Sequence, residues 1–279
     1  MSAAKLQKES IKSFRDYLFQ NEHSPATVEK YLRDVKAYFS RFNGEISKEL
    51  LLTYKEFLEK NYAPASANSM IAAINAFLRF IGMADISIKR FRVQRSPFRT
   101  EEKELTREEY LRIVRAARES GNERLNLIIQ TICATGIRVS ELKFITKEAV
   151  YRGEATVRCK GKIRRIFIVK ELQRKLISYI KERKIESGSV FVTRGGSPIS
   201  RSHVWRQMKA LCKSAGVSQS KVFPHNLRHL FARTFYSLEK DIAKLADILG
   251  HTSIDTTRIY IMTSPVEHKR KMEKMHLII

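Results

Sequence analysis

Positions 224–229 of the chain read Pro-His-Asn-Leu-Arg-His, and this stretch predicts the start of a helix. Proline is favoured in the first turn of a helix, where its missing N–H group costs nothing. The side chains of His225 and Arg228 then share one face of that turn, about 5–6 Å apart. Because a helix N-terminus also attracts anions, both side chains are expected to reach one phosphate group. Taken alone, such a pair is more often structural.

The composition favours a nucleic-acid partner. The 279 residues are enough for two domains with hydrophobic cores, and the 43% apolar content excludes a wholly disordered protein. Fifty-three Lys and Arg residues against 29 Asp and Glu give a formal net charge of +24. Such a charge attracts polyanions, although a generally basic protein would have the same composition.

Several other sequence features exclude classes of site and location. Cys133, Cys159 and Cys212 lack the spacing of a metal site or a disulfide framework, and their odd number fits a reducing compartment. No stretch approaches the roughly 20 apolar residues that cross a bilayer, and no signal peptide is recognisable. There is also no carboxylate cluster for a two-metal site. We expect a cytoplasmic protein that needs no membrane, metal or cofactor.

The N-terminal domain is predicted to be a bundle of four helices and is placed at residues 1–85. Within residues 1–82, apolar positions recur three or four apart in four stretches. The second stretch opens with Ser24 and Pro25, which are typical of an N-cap and a first helical turn. The fourth ends at Gly82.

Residues 86–104 are interpreted as a basic interdomain linker. No acidic residue occurs between positions 86 and 100. A solvated linker and a segment that lies along a phosphate backbone fit this composition equally well. The candidate DNA contacts in this segment are Lys89, Arg90, Arg92, Arg95 and Arg99.

A second domain is predicted over residues 105–279. Thr106 and Glu109 have the spacing of a capping box that starts its first helix. Two β-prone runs, 155–159 and 165–169, are joined by residues 160–164, which predicts a hairpin with a basic tip. Later helices are expected at about 171–185, 201–214, 226–237, 241–249 and 254–262. The chain as a whole is expected to be mainly α with a small β-sheet: a four-helix domain followed by an α+β domain.

The segment 200–207 is a candidate for a DNA-facing helix start. Arg201 and Arg206 are its candidate contacts, since arginine reaches phosphates and base edges from a helix in the major groove. Trp205 is expected to lie in the core, and His229 is interpreted as structural.

Further motifs follow in a fixed order. Residues 135–142 read Thr-Gly-Ile-Arg-Val-Ser-Glu-Leu, residues 160–161 Lys-Gly, residues 249–253 Leu-Gly-His-Thr-Ser and residues 257–260 Thr-Arg-Ile-Tyr. Together with the stretch at 224–229, they resemble the tyrosine recombinase (phage integrase) family, which also has the spacing found here between His251 and Tyr260. Within it the chain looks like the compact Xer-type recombinases and small phage or transposon integrases. The resemblance covers nearly the whole chain and implies a SAM-like core-binding domain before a tyrosine-recombinase catalytic domain.

The resemblance implies a role for each matched residue. Tyr260 would attack a DNA phosphate, expel a 5′-hydroxyl and become a 3′-phosphotyrosyl intermediate without ATP. Arg138 and Arg228 would hold the non-bridging oxygens in place of a metal. Lys160 would be the general acid, with Lys162 as its rival.

The remaining roles concern proton transfer and orientation. His225 would accept or share the tyrosyl proton, and His251 would donate a hydrogen bond to a non-bridging oxygen. Glu141 would orient the first histidine, unless it is an ordinary surface carboxylate. Lys162 and Arg164 are predicted to contact phosphates.

The resemblance also implies partners. They are duplex DNA with a specific recombination site and three further copies of the chain, in a tetramer that exchanges strands through a Holliday junction. The tail at 265–279 would dock on a neighbouring subunit or pack on its own domain. The biological event would be chromosome-dimer resolution or the integration, excision or inversion of an element. The alternatives are a type IB topoisomerase and a non-catalytic DNA-binding accessory protein; the domain order opposes the first, and the complete catalytic set opposes the second.

Overall fold

The computed structural model describes residues 3–92, 104–159, 162–193, 195–251, 253–261, 269–270 and 272–275. Contacts divide the chain into two compact units, Met1–Arg95 and Ser96–Ile279. The predicted class, mainly α with a small β-sheet, is confirmed. None of the helices in the described part of the chain has the length and apolar character that a membrane crossing requires.

The first unit is the predicted bundle of four helices. They are α1 (Ala3–Gln20), α2 (Pro25–Arg41), α3 (Lys48–Asn61) and α4 (Pro64–Phe80), followed by a 3-10 turn at Ala84–Ile86. The hydroxyl of Ser24 accepts the backbone N–H of Thr27, which confirms the predicted cap of α2. Aliphatic and aromatic side chains from all four helices form one core, in which Tyr38 and Tyr54 are buried.

Residues 86–92, the first part of the predicted linker, are held on the first unit by two asparagines of α4. The side chain of Asn75 exchanges hydrogen bonds of 2.8 and 3.1 Å with the backbone of Ile88. Asn68 does the same with Phe91, at 3.0 and 2.7 Å. The candidate DNA contacts of this segment that the structure describes, Lys89, Arg90 and Arg92, are exposed. Arg95 and Arg99 lie outside the described residues.

The second unit begins with two helices, α5 (Arg107–Glu119) and α6 (Glu123–Thr135). The capping box of Thr106 and Glu109 at the start of α5 is confirmed. A 3-10 helix (Val139–Phe144) and α7 (Lys147–Arg152) lead to strands β1 (Glu154–Cys159) and β2 (Lys162–Phe167), which form an antiparallel two-stranded sheet. The chain then continues through α8 (Lys170–Glu182), α9 (Arg201–Ala210), α10 (Cys212–Ala215), α11 (Pro224–Glu239), α12 (Ile242–Leu249) and α13 (Ile254–Ile261).

The hairpin differs from its prediction. We expected residues 160–164 to form the turn, but β2 already begins at Lys162, and Arg164 pairs with Val157. Only residues 160 and 161 lie between the strands, and both are outside the described residues. In this register Val157 and Ile166 are buried. The side chain of Arg164 is only 11% exposed, so it does not belong to a basic tip.

The prediction for Trp205 was wrong. Val204 and Met208 are the buried residues of α9, one helical turn apart. Position 205 lies about 100° around the helix from position 204, and the indole is 48% exposed. The ammonium of Lys209 lies 5.3 Å from the centre of the Trp205 ring.

Candidate active site

Arg138 is held at the surface of the second unit by a local carboxylate. Helix α6 ends at Gly136, whose positive φ of 64° lets the chain turn away, and the 3-10 helix begins after Arg138. The backbone N–H of Arg138 donates to Oε2 of Glu141 at 2.9 Å, and its Nη1 donates to Oε1 at 2.9 Å. The Arg138 side chain remains 39% exposed, so part of the guanidinium can meet an anion from outside.

Glu141 is not an ordinary surface carboxylate, because its side chain is only 3% exposed. Oε2 accepts a second hydrogen bond from Nη2 of Arg164. Burial alone would raise the pKa of Glu141, but the backbone hydrogen bond of Arg138 and the charge of Arg164 outweigh burial and lower this pKa. Glu141 is therefore ionised at neutral pH and holds two arginines.

Arg228 lies in the first turn of α11, as predicted, but it is buried, with 1% of its surface exposed. Its Nη1 donates to the carbonyl of Gly136, and its Nη2 donates to the carbonyl of Leu249 at 2.7 Å. Burial and the charge of Arg138 lower the pKa of Arg228 to about 10, so it stays protonated at neutral pH. Arg228 thus ties together three segments that are distant in the sequence.

His251 follows Gly250, which ends α12 with a φ of 65°. Its Nε2 lies 3.0 Å from Nη2 of Arg228, and its Nδ1 lies 2.8 Å from the hydroxyl of the buried Thr257. Because a guanidinium only donates, Nε2 of His251 is the acceptor, and the ring proton is assigned to Nδ1. Burial and the charge of Arg228 lower the pKa of His251 to about 4, which keeps the ring neutral.

Tyr260, in α13, is 4% exposed and lies among three imidazoles and a guanidinium. The His251 ring stacks on the phenol with a centroid distance of 5.5 Å. His229 meets it edge-on at 4.5 Å, and His225 lies at 6.1 Å. Arg228 adjoins this cluster through His251, whose Nε2 lies 3.0 Å from its Nη2. The structure therefore brings four predicted catalytic residues to one place.

His229 is the site residue that sequence reasoning missed. Its ring also packs edge-on against His225, with a centroid distance of 4.6 Å, so it touches both a predicted base and the predicted nucleophile. The available signal was spacing, since positions 225 and 229 are one helical turn apart and share a face.

Other predicted site residues lie apart or are not described. Lys160 is outside the described residues, and so is the side chain of Lys162. Arg201 and Arg206 are exposed on α9. Within the described ranges, no group of three His, Cys, Asp or Glu side chains is placed to hold a metal ion.

The sequence matches two family models that together cover most of the chain. The model of the phage integrase family matches residues 103–266, and that of the phage integrase N-terminal SAM-like domain matches residues 11–82. The chain therefore belongs to the phage integrase family of tyrosine recombinases, a family of DNA strand-transferring enzymes.

Individual relatives agree with this assignment. Tyrosine recombinase XerA of Thermococcus kodakarensis is 33% identical over 97% of this chain and 96% of its own length. Tyrosine recombinase XerD of Halalkalibacterium halodurans is 30% identical over 84% of this chain and 86% of its own length.

Solved structures share the fold. The crystal structure of XerA recombinase is 27% identical and aligns over 98% of this chain and 99% of its own, with a TM-score of 0.53. XerH bound to its difH substrate before cleavage is 20% identical and aligns over 97% and 84% with a TM-score of 0.68. A lambda integrase tetramer on a Holliday junction is also 20% identical and aligns over 91% and 76% with a TM-score of 0.71.

Proposed function

We propose that the chain is a site-specific recombinase that cleaves and rejoins duplex DNA with Tyr260 as its nucleophile. The observation that supports this most strongly is the setting of Tyr260, whose phenol lies among the imidazoles of His225, His229 and His251, with Arg228 bound to the last of these. Cations and proton acceptors around a phenol are what phosphoryl transfer to tyrosine requires.

The phenol oxygen of Tyr260 attacks the phosphorus, and the bond from phosphorus to the 5′-oxygen breaks. His225 takes the phenolic proton, and Lys160 gives a proton to the departing 5′-oxygen, with Lys162 as the alternative donor. The phosphotyrosyl bond keeps the energy of the phosphodiester, so attack by the 5′-hydroxyl of another strand rejoins DNA without ATP.

The two arginines stabilise the charge that gathers on the non-bridging oxygens. The exposed part of the Arg138 guanidinium contacts the phosphate. The buried guanidinium of Arg228 contributes a fixed positive charge from within the protein. His251 donates from Nε2 to a non-bridging oxygen once DNA replaces its present contact with Arg228; the ring proton then sits on Nε2, and Nδ1 accepts from the hydroxyl of Thr257. Because Tyr260 is buried in the chain alone, DNA binding must expose it before it attacks.

The exposed side of α9 is a proposed DNA contact. Arg201 and Arg206 flank the exposed Trp205, and Lys209 lies over its ring. Cations beside an aromatic ring suit a phosphate backbone and its sugars. In the basic linker at residues 86–104 we assign the same task to Lys89, Arg90, Arg92, Arg95 and Arg99. The chain has one tryptophan, so a change in its fluorescence on adding duplex DNA tests the α9 contact directly.

The proposed assembly is a homotetramer that exchanges strands through a Holliday junction in the cytoplasm. The lambda integrase structure with which this chain shares its fold is a tetramer bound to a Holliday junction. Most of the tail at 265–279, which would join subunits or fold back, lies outside the described residues. The biological role of this recombination is chromosome-dimer resolution, or the integration, excision or inversion of a DNA element.

The decisive experiment begins with selection of the bound site from genomic or random fragments. A nicked suicide duplex with that site should trap the wild-type chain as a covalent adduct in EDTA, because no metal or other cofactor takes part. Tyr260→Phe should bind the duplex with unchanged affinity and form no adduct. Tyr151→Phe, at an exposed tyrosine of α7, is the matched control and should react normally. An adduct with Tyr260→Phe would refute the assignment.

A plasmid that carries two copies of the selected site separates recombination from topoisomerase activity. Recombinant products are expected. Relaxation without recombinants would instead indicate a type IB topoisomerase, and binding without either product would indicate an accessory protein.

A further inference from the structure

Arg164 is an inward-facing arginine in a two-stranded sheet. Its neighbour Arg165 faces outward with a side chain that is 69% exposed, whereas the Arg164 side chain is 11% exposed and pairs across the sheet with the buried Val157. Placing a guanidinium inside a protein costs free energy unless its donors find acceptors. The acceptors of Arg164 identify its task.

The first acceptor connects Arg164 to Arg138. Nη2 of Arg164 donates to Oε2 of Glu141. That same oxygen accepts the backbone N–H of Arg138, and the other oxygen of Glu141 accepts from Arg138 Nη1, each at 2.9 Å. One buried carboxylate is therefore shared by both arginines, and a shift of Arg164 displaces the partner that orients Arg138.

The second set of contacts connects Arg164 to the segment before His251. Nη1 of Arg164 donates to the carbonyl of Ile248 at 2.7 Å. Its Cδ and Nε lie against Gly250, where an added Cβ would come within 2.5 Å of Cδ and 3.0 Å of Nε. Since Gly250 directly precedes His251, the packing of Arg164 sets where the histidine segment leaves α12.

We propose that Arg164 is a positioning residue for strand cleavage, which fixes Arg138 through Glu141 and His251 through Ile248 and Gly250. The inference rests on the proposed function. Strand β2 carries Arg164 two residues after it begins, so this strand is fixed to the same network. The planar guanidinium has diverging donors that reach a carboxylate and a carbonyl at once, which a lysine ammonium does not reproduce.

This role and the phosphate contact predicted from the sequence give opposite results. A lost phosphate contact weakens DNA binding, whereas a lost positioning residue slows the chemical step on DNA that is already bound. Misplacing catalytic groups by about 1 Å costs roughly 100-fold in rate.

The test measures single-turnover cleavage of the suicide duplex at saturating DNA, together with the dissociation constant. Arg164→Ala should cleave about 100-fold more slowly and Arg164→Lys about 10-fold more slowly, both with unchanged affinity. Arg165→Ala, the outward neighbour, is the matched control and should cleave at the normal rate. Normal cleavage by Arg164→Ala, or a defect that high DNA concentration removes, would overturn the proposal.

A double-mutant cycle with Gly250→Ala isolates the contact itself. The added methyl group should slow cleavage in the wild-type background but much less beside Arg164→Ala, where its space is vacant. The backbone strain at a positive φ is common to both backgrounds and cancels. Gly216→Ala controls for that strain, because Gly216 has a φ of 60° and no atom within 4 Å of an added Cβ. Equal slowing by Gly250→Ala in both backgrounds would contradict the contact.

Two further readouts keep the result unambiguous. Thermal melting of each variant checks folding, and Arg164→Lys carries the test if Arg164→Ala does not fold. The wild-type adduct is assayed beside the variants. Its absence would refute the proposed function, whereas equal adduct formation by the wild type and Arg164→Ala would refute only the role of Arg164.

Discussion

Arg138 and Arg228 have the same predicted task but lie in opposite surroundings. Arg138 is 39% exposed and bound to a carboxylate three residues away, whereas Arg228 is 1% exposed and bound to two carbonyls and an imidazole. The partners of Arg228 are 21 to 92 residues distant. One guanidinium is partly exposed to solvent, and the other holds together the segments that surround Tyr260. Variants of Arg138 should therefore lose mainly cleavage activity, whereas variants of Arg228 should also lose stability.

The largest effect is expected from Arg228→Ala. Removing this side chain leaves two buried carbonyls without their donor, so the free energy of unfolding should fall by about 3 kcal/mol. Arg138→Ala should cost only about 1 kcal/mol, because it breaks a partly exposed ion pair. Urea denaturation of both variants measures the difference. Equal losses would show that the two arginines do not differ as described.

Arg138→Lys, in contrast to Arg228→Ala, should lose cleavage activity and keep its stability. The charge is kept, but the planar pair of donors is lost, so cleavage at saturating DNA should slow by about 100-fold or more. The urea midpoint should stay close to that of the wild type. Near-normal cleavage in the suicide-duplex assay would argue against contact between Arg138 and the phosphate.

The partly buried His251, which contacts Arg228, should make the stability of the protein depend on pH. Its folded-state pKa of about 4 lies below the usual value of 6.5, so the unfolded chain binds more protons between these values. Its contribution to stability is therefore complete above pH 6.5 and is lost as the pH falls towards 4. Melting temperatures at pH 7 and pH 5 should differ more for the wild type than for His251→Gln. An equal difference in both proteins would mean that His251 does not titrate in this way.

The smallest effect concerns salt. If Arg138 meets a phosphate, Arg138→Ala should reduce the slope of log affinity against log salt concentration by about one. Lys143→Ala, in the 3-10 helix that follows Arg138, serves as a control for the loss of a nearby charge. Fluorescence anisotropy over a salt series measures both slopes. An unchanged slope for Arg138→Ala would place its guanidinium away from the backbone of bound DNA.

Local signals in the sequence predicted much of the fold. The caps at Ser24 and Thr106 and the helix start at Pro224 depend on residues within one turn, and all three are confirmed. The motifs also identified His251 and Tyr260, which the structure brings together.

Features that depend on distant partners were not predictable. The burial of Arg228 depends on carbonyls from two other segments, and that of Arg164 on Glu141 and Ile248. β-propensity located the hairpin but not its register, which decides the face that Arg164 occupies. Trp205 was misplaced because an apolar residue beside a helix's buried stripe is free to lie outside.

The most direct test of the central claim is to locate the DNA on the protein. The trapped adduct is treated with nuclease and trypsin, and the modified peptide is identified by mass spectrometry. Trypsin releases residues 259–269, in which Tyr260 is the only tyrosine. We predict that this peptide carries the residual nucleotide. A nucleotide on any other peptide, or none on a chain that has cleaved DNA, would contradict the account.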